Sequence, residues 1–194
     1  MTTNLKIEKT LKDRVTDFAG VFNYNDLDNI HPYRGKVLVV NYVTDQEAID
    51  GKVGHYCVID LRYGVIKGDY VSGFYFFDAY GLPPDIPRQI LQLPNTNNIT
   101  RYLNRCGAIN SIKGNDRDFQ STKPWDNLCG VYAMLYTVNP NFNKNPVFST
   151  SESRVRLDSD MEHIFNRLNV LGNSSEDYKS LEAFNQLRSM AGAK

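Results

Sequence analysis

The chain is 194 residues long, with 41% apolar and 12% aromatic side chains, the length of one domain or of one domain with an appendage. A chain of that size buries roughly 70% of its unfolded surface and holds a full core without staples, which argues against disorder for its bulk. Lys and Arg number 22 together, as do Asp and Glu, so a globally basic nucleic-acid binder is disfavoured, although a local basic patch is not.

Residues 4–18 set Ile7, Leu11, Val15 and Phe18 on one helical face and leave Leu5 off the stripe, which predicts an N-terminal helix within residues 1–20, stopped by Gly20. FNYNDLDN then reads as an exposed loop. Three strands follow. Residues 36–43 (KVLVVNYV) form a continuous apolar run, as in a strand buried on both faces. Residues 54–61 (GHYCVIDL) alternate, with His55, Cys57, Ile59 and Leu61 on one face and Tyr56, Val58 and Asp60 on the other. Residues 73–80 (GFYFFDAY) place Phe74, Phe76 and Asp78 on one face. The link RYGVIKGDYVS reads as a hairpin connection, which makes the last two strands antiparallel neighbours.

Pro84 or Pro87 can open a short helix through Leu93, residues 98–105 suit another, and 108–112 suit a further strand. The polar stretch 115–127 contains Pro124 and reads as a loop. Residues 128–138 (LCGVYAMLYTV) carry apolar side chains nearly all round at helical spacing, as expected of a central buried helix ended by Asn139-Pro140. Two C-terminal helices are expected near 158–171 and 175–191, within a segment 150–194. This order predicts a single α+β domain over 1–194: a central mixed or antiparallel sheet packed on the buried helix, with a core at 36–138.

Cys57, Cys106 and Cys129 are an odd, sparse set, which points to a reducing compartment rather than a disulfide framework. The opening MTTNLKIEKT has no apolar h-region, and no apolar run approaches about 18 residues, so neither a secretion signal nor a membrane span is expected. His55 and Cys57 share a strand face, but no second ligand pair at zinc-site spacing accompanies them, and no metal is expected.

Four polar residues could carry chemistry. His55 lies early in its strand, Asp78 near the end of the adjacent one, Cys129 at the start of the most apolar helix, and Gln120 in the loop before it. A thiol at a helix N-terminus faces unpaired N–H groups and the positive end of the macrodipole, both of which favour thiolate. An imidazole beside it supplies the proton for a leaving amine. A carboxylate behind the imidazole fixes its tautomer, and a Gln amide with the Cys129 N–H can cradle an oxyanion. Asp126, just before the helix, works against thiolate unless it faces solvent or caps the backbone. Each residue also has a plain structural role: a core thiol, a strand histidine bonded to a carbonyl, a turn aspartate. Spacing alone leaves the two readings balanced.

The linear order His, Asp, Gln, Cys resembles that of the adenovirus-type maturation cysteine proteases, including those of virophages and Polinton-like elements. More distantly it resembles the SUMO and ubiquitin-like deconjugating proteases of the same clan. The segments that carry the resemblance are VLVVN (37–41), GHYCVIDL (54–61), FYFFDAYG (74–81) and DFQSTKPWDNLCGVYAML (118–135). Tyr56 stands where many relatives have Trp. The resemblance implies an adenain-like fold in which Cys129 is the nucleophile, His55 the general base and then acid, Asp78 its orienting group, and Gln120 part of the oxyanion hole. It implies a viral endopeptidase that cleaves capsid or scaffold precursors near small residues during particle maturation, in the virion and in the cytoplasmic or nuclear virus factory. In adenoviruses a short viral peptide, disulfide-linked to a cysteine upstream of the Gln, and DNA act as activators. Cys106 in NRCGAINS occupies a comparable place, while the neutral charge gives no support to strong nucleic-acid binding.

Two other readings stay open on the sequence. One keeps the fold but acts as a deconjugase of a ubiquitin-like modifier or as an acyltransferase. The other is a protease-like binding or virion structural protein without activity.

Overall fold

The computed structural model describes residues 3–52, 54–62, 65–67, 70–72, 74–107, 113–115, 129–138 and 140. The expected strand at 108–112, the loop 116–127 with Gln120 and Asp126, and both C-terminal helices lie outside the described residues.

Helix α1 (Asn4–Lys12) starts where the Thr3 hydroxyl accepts the Lys6 N–H and ends on Lys9 and Lys12, cations that suit a helix C-terminus. Its buried side is Ile7 and Leu11, while Leu5 is 63% exposed. The expected helix is therefore too long at its C-terminal end. Phe18–Asn23 is a strand, β1, laid parallel to β2 (Val37–Asn41) from Phe18↔Val37 to Asn23↔Asn41. The i, i+4 apolar stripe runs on through Val15 and Phe18 because both still pack on the same core, although only residues up to Lys12 are helical. Gly20, with φ of 140° and an irregular pairing beside it, lets β1 keep that register.

Strand β2 pairs antiparallel with β3 (Tyr56–Asp60), and β3 pairs antiparallel with β6 (Tyr75–Asp78), as the alternation predicts. The link between them, expected as a simple hairpin connection, holds two further strands, β4 (Val65–Lys67) and β5 (Tyr70–Ser72), which pair antiparallel as a separate two-stranded sheet. A two-residue strand, β7 (Lys113–Gly114), lies parallel to β6 and completes a five-stranded mixed sheet of order β1-β2-β3-β6-β7. The sheet and its flanking helices make an α+β fold.

Each sheet face covers a separate core, which follows from the period of two along its strands. On one face Val37, Val39, Tyr56, Val58 and Phe77 meet α1 and α5 (Cys129–Val138). Every α5 residue from Cys129 to Thr137 is buried, as its all-round apolar composition predicts. On the other face Leu38, Val40, Cys57, Ile59 and Phe76 meet α4 (Asn98–Arg105) through Ile99, Tyr102 and Leu103. The short helix α3 (Ile86–Ile90) carries Pro87 in its first turn.

Far from Cys129, α5 is anchored at its C-terminus. Arg62 donates to the Thr137 carbonyl at 3.0 Å and pairs with buried Asp60 at 2.7 Å, and Asp60 also accepts from the Tyr136 hydroxyl. A cation on the last carbonyls complements the helix dipole.

One short helix was absent from the sequence reading. Residues 45–49 form α2 (Asp45–Ile49), which carries a complete capping box: the Thr44 hydroxyl accepts the Glu47 N–H and the Glu47 carboxylate accepts the Thr44 N–H. The T-x-x-E pattern at 44–47 is the local signal that announces it.

Candidate active site

His55 enters one residue before β3, and Asp78 ends β6. Because β3 and β6 pair with Cys57 opposite Asp78, the alternation that puts His55 on the Cys57 face also brings its ring to the Asp78 carboxylate. The observed contact is His55 Nε2 to Asp78 Oδ2 at 2.8 Å, with the side chains 5% and 0% exposed. Cys129, 8% exposed and the first described residue of α5, is near enough to the same imidazole to help raise its pKa. Residues separated by 74 positions thus form one line of thiol, imidazole and carboxylate. With Nε2 committed to Asp78, Nδ1 is the nitrogen left to exchange a proton with the thiol.

Burial by itself disfavours a charged imidazole. Here it is outweighed by the Asp78 charge and hydrogen bond, with a smaller contribution from Cys129, and the His55 pKa is pushed up to about 10. The imidazole therefore carries its proton at neutral pH. Two phenol rings stack on it: Tyr80 at 4.8 Å between centroids and Tyr42 at 5.8 Å, tilted by only 26° and 18°. The electron-rich faces of such rings favour a cation between or beside them.

The carboxylate is held as firmly as the imidazole. Asp78 Oδ1 accepts the Tyr80 N–H at 2.8 Å in an Asx-type turn. The Asp78 carbonyl accepts the Gly81 N–H at 2.9 Å, and Gly81 takes a φ of 69° that a side chain would strain. Asn115 brackets the residue from the other side. Its Oδ1 accepts the Asp78 N–H at 2.8 Å, and its Nδ2 donates to the Asp78 carbonyl.

Tyr42 is fixed in turn by Arg88, a buried cation. Arg88 donates to the Tyr42 carbonyl at 2.7 Å, to both Glu47 oxygens and to the Pro94 carbonyl, and its guanidinium lies over the Tyr24 ring. Glu47 is held low in pKa by Arg88 and the Thr44 N–H despite its partial burial. This bidentate pair ties α2 and α3 to the backbone of Tyr42, just past the end of β2, whose ring stacks on His55.

On the Cys129 side of the sheet, Tyr56 donates to Asn4 Oδ1 at 2.8 Å, and Asn41 Nδ2 donates to the same oxygen at 3.3 Å. Burial, with the neighbouring Cys129, raises the Tyr56 phenol above its ordinary range. Among the described residues, Asn41 Oδ1 has no hydrogen-bond partner. It fills the space where a side chain on residue 54 would begin, since a Cβ there would stand 2.2 Å away. Gly54→Ala should therefore destabilise the fold by about 1–3 kcal/mol through overpacking. Gly54→Ala with Asn41→Ala should recover most of it, and urea denaturation of the wild type and the two variants measures both effects.

The other thiols differ from Cys129. Cys57 is fully buried and its pKa is raised, first by burial and then by the Asp78 charge. Cys106 is also fully buried, at the end of α4 against the second core, and burial pushes its thiol up to about 11. Neither has thiolate character or access for exchange. A disulfide between Cys106 and an activating peptide therefore requires the end of α4 to open. Among the described residues, no group of three or more His, Cys, Asp and Glu side chains is placed to hold a metal ion.

Of the five residues singled out in the sequence, the fold brings His55, Asp78 and Cys129 together and keeps Cys106 apart; Gln120 lies outside the described residues. The sequence reading missed Asn115, Tyr42, Tyr80, Arg88 and Glu47. Only Tyr80 and Glu47 carried a local signal, in the D-A-Y-G turn and the capping box. Comparison of the chain with models of known protein families and with curated proteins finds no match.

Proposed function

We propose that this protein is a cysteine endopeptidase whose nucleophile is Cys129. The observation that carries the reading is the buried line from the Cys129 thiol through the His55 imidazole to Asp78, closed by the 2.8 Å contact. The motifs VLVVN, GHYCVIDL, FYFFDAYG and DFQSTKPWDNLCGVYAML resemble those of the adenovirus-type maturation proteases. They support an adenain-like fold and a role in cleaving capsid or scaffold precursors in an infected cell.

In this reading the thiol's proton already rests on His55 Nδ1, in keeping with an imidazole that is protonated at neutral pH, and the Cys129 sulfur of that ion pair attacks the carbonyl carbon of the scissile peptide. The S–C bond forms as the carbonyl π pair moves to oxygen, and the resulting oxyanion is met by the Cys129 N–H and the Gln120 amide. Collapse of that intermediate breaks the C–N bond, and His55 Nδ1–H gives its proton to the departing amine. Water, losing a proton to His55, then hydrolyses the thioester, and the released sulfur regains its imidazolium partner. Asp78 keeps Nε2–H engaged throughout, so the ring presents Nδ1 to sulfur and holds its cationic form between the two transfers.

Incubation of the reduced protein with a proteome-derived peptide library, with Cys129→Ala in parallel, tests the reading by mass spectrometry of the new termini. Cuts made by the wild type alone and clustered at small residues such as Gly are expected. Equal cutting by Cys129→Ala overturns the assignment of the nucleophile. If plain peptides stay intact, also with DNA and candidate viral peptides added without reductant, and conjugates of a ubiquitin-like modifier are cut, the reaction is deconjugation instead.

A further inference from the structure

Asn115 does not belong to the line of thiol, imidazole and carboxylate, yet it is the group that holds the end of that line in place. It follows β7 directly and is 9% exposed. Its own N–H donates to the Phe76 carbonyl at 3.3 Å, the last backbone rung of the parallel β6–β7 pairing. Beyond that rung the side chain takes over. Oδ1 accepts the Asp78 N–H at 2.8 Å while Nδ2 donates to the Asp78 carbonyl. A carboxamide presents one acceptor and one donor in a plane, as a peptide group does, so the Asn115 side chain acts as one more residue of the edge strand.

Asp78 is the last residue of β6, and among the described residues only its β3 side is paired by a strand, through Cys57. Without Asn115 the outer edge of residue 78 would lose a buried partner for its N–H, and such a donor is seldom left unpaired. Residue 78 would then have freedom to rotate about its backbone. A carboxylate that must meet His55 Nε2 with one oxygen and the Tyr80 N–H with the other has little tolerance for such rotation.

We propose that Asn115 is a positioning residue for the Cys129–His55–Asp78 line, clamping the backbone of Asp78 so that its carboxylate stays aimed at His55 Nε2. The inference rests on the reading of those three residues as a proton-transfer line, and its readout is separable from proteolysis.

Among the described residues, the groups that face the imidazole are Asp78 on β6, Cys129 on α5, and the rings of Tyr42 and Tyr80. The two bonds described run from Asn115 to the Asp78 backbone, so their effect on His55 is carried by Asp78. The test is an NMR titration of the His55 ring in the full chain, compared for wild type, Asn115→Ala and Asn115→Asp. Asn115→Ala removes both bonds, and Asn115→Asp keeps the acceptor for the Asp78 N–H but removes the donor. Asn115→Ala is expected to lower the His55 titration midpoint by at least one pH unit. With a cleavable peptide it should reduce kcat 10- to 100-fold while KM changes less than twofold. In an Asp78→Ala background the same substitution should move neither readout, because the residue it acts through is gone.

A lowered Tm with an unchanged His55 titration and unchanged kcat would reduce Asn115 to a structural residue and overturn the proposal. An equal loss of activity in the Asp78→Ala background would overturn it too. If Asn115→Ala does not fold, Asn115→Asp and Asn115→Ser, which retain an acceptor, carry the same comparison. If the wild type cleaves no peptide at all, the endopeptidase reading fails, while the His55 titration still decides whether Asn115 sets the His55–Asp78 contact.

Discussion

Cys129→Ala and His55→Ala should each abolish peptide cleavage, with rates reduced at least about a thousandfold, as for residues that act as one unit. The two variants differ in what they do to the fold. Removing one sulfur from a site that is 8% exposed leaves a small cavity at the end of α5, and the loss should be on the order of 1 kcal/mol. Removing the His55 ring is more severe. It takes away the partner of a fully buried carboxylate and leaves Asp78 Oδ2 without its donor, a change of about 3–5 kcal/mol for a broken buried pair. His55→Gln is therefore the cleaner variant, because its amide can still donate toward Asp78 but cannot carry a proton between sulfur and the leaving amine.

Asp78→Asn should retain a measurable rate. The two Asp78 oxygens accept from two donors, His55 Nε2 and the Tyr80 N–H, and an asparagine offers one acceptor for both. One contact is lost, but the imidazole, stacked by Tyr42 and Tyr80, keeps much of its orientation. Steady-state kinetics on one peptide, with circular dichroism and urea denaturation of each variant, separates lost chemistry from lost fold. Substantial activity in purified Cys129→Ala or His55→Gln would remove these residues from the mechanism.

Stability should fall as pH rises from about 6.5 to 8.5, and Asp78→Asn should flatten that fall. Below about 6.5 an ordinary histidine is protonated in folded and unfolded chains alike, so the stabilisation from the raised pKa is complete there. Above that value the unfolded chain releases the proton, while folded His55 keeps it up to about pH 10. The advantage of the pair therefore shrinks with every pH unit and vanishes beyond the folded pKa. The largest slope one proton can give is about 1.4 kcal/mol per pH unit, so a loss of roughly 2 kcal/mol across the window is expected for wild type.

The upper bound of the window matters. Cys57 and Cys106 are also held above their ordinary values by burial, and they add to the loss once unfolded thiols begin to ionise near pH 8.5. Within 6.5–8.5, the difference between wild type and Asp78→Asn isolates the imidazole. Equal slopes in the two proteins would mean that His55 is not held protonated by Asp78.

How much of this was legible in the sequence depended on how far apart the partners lie. Alternation along 54–61 and 73–80 gave the faces of β3 and β6, and the short link between them gave their antiparallel pairing. Together these set His55 and Asp78 on adjacent strands, while the register that places them on the same face, Cys57 opposite Asp78, came from the fold. The apolar run around Cys129 likewise marked a buried helix. The error at the N-terminus had a specific cause. Val15 and Phe18 continue the apolar spacing of α1 and are also drawn into the same core, so periodicity could not tell a longer helix from a turn into β1.

Composition and periodicity by themselves determined which residues are apolar in strands, which helix is buried, and where a thiol, an imidazole and a carboxylate sit along the chain. Only the tertiary structure decided that β1 runs parallel beside β2, that Arg88 reaches 46 residues back to the carbonyl of Tyr42, and that Asn115 clamps Asp78 across 37 residues. The physical reason is that a repeat of two or 3.6 residues encodes the face a side chain occupies, whereas a hydrogen bond between distant segments depends on sheet order and register. Those are settled by the packing of both cores together, and no local run of residues carries them.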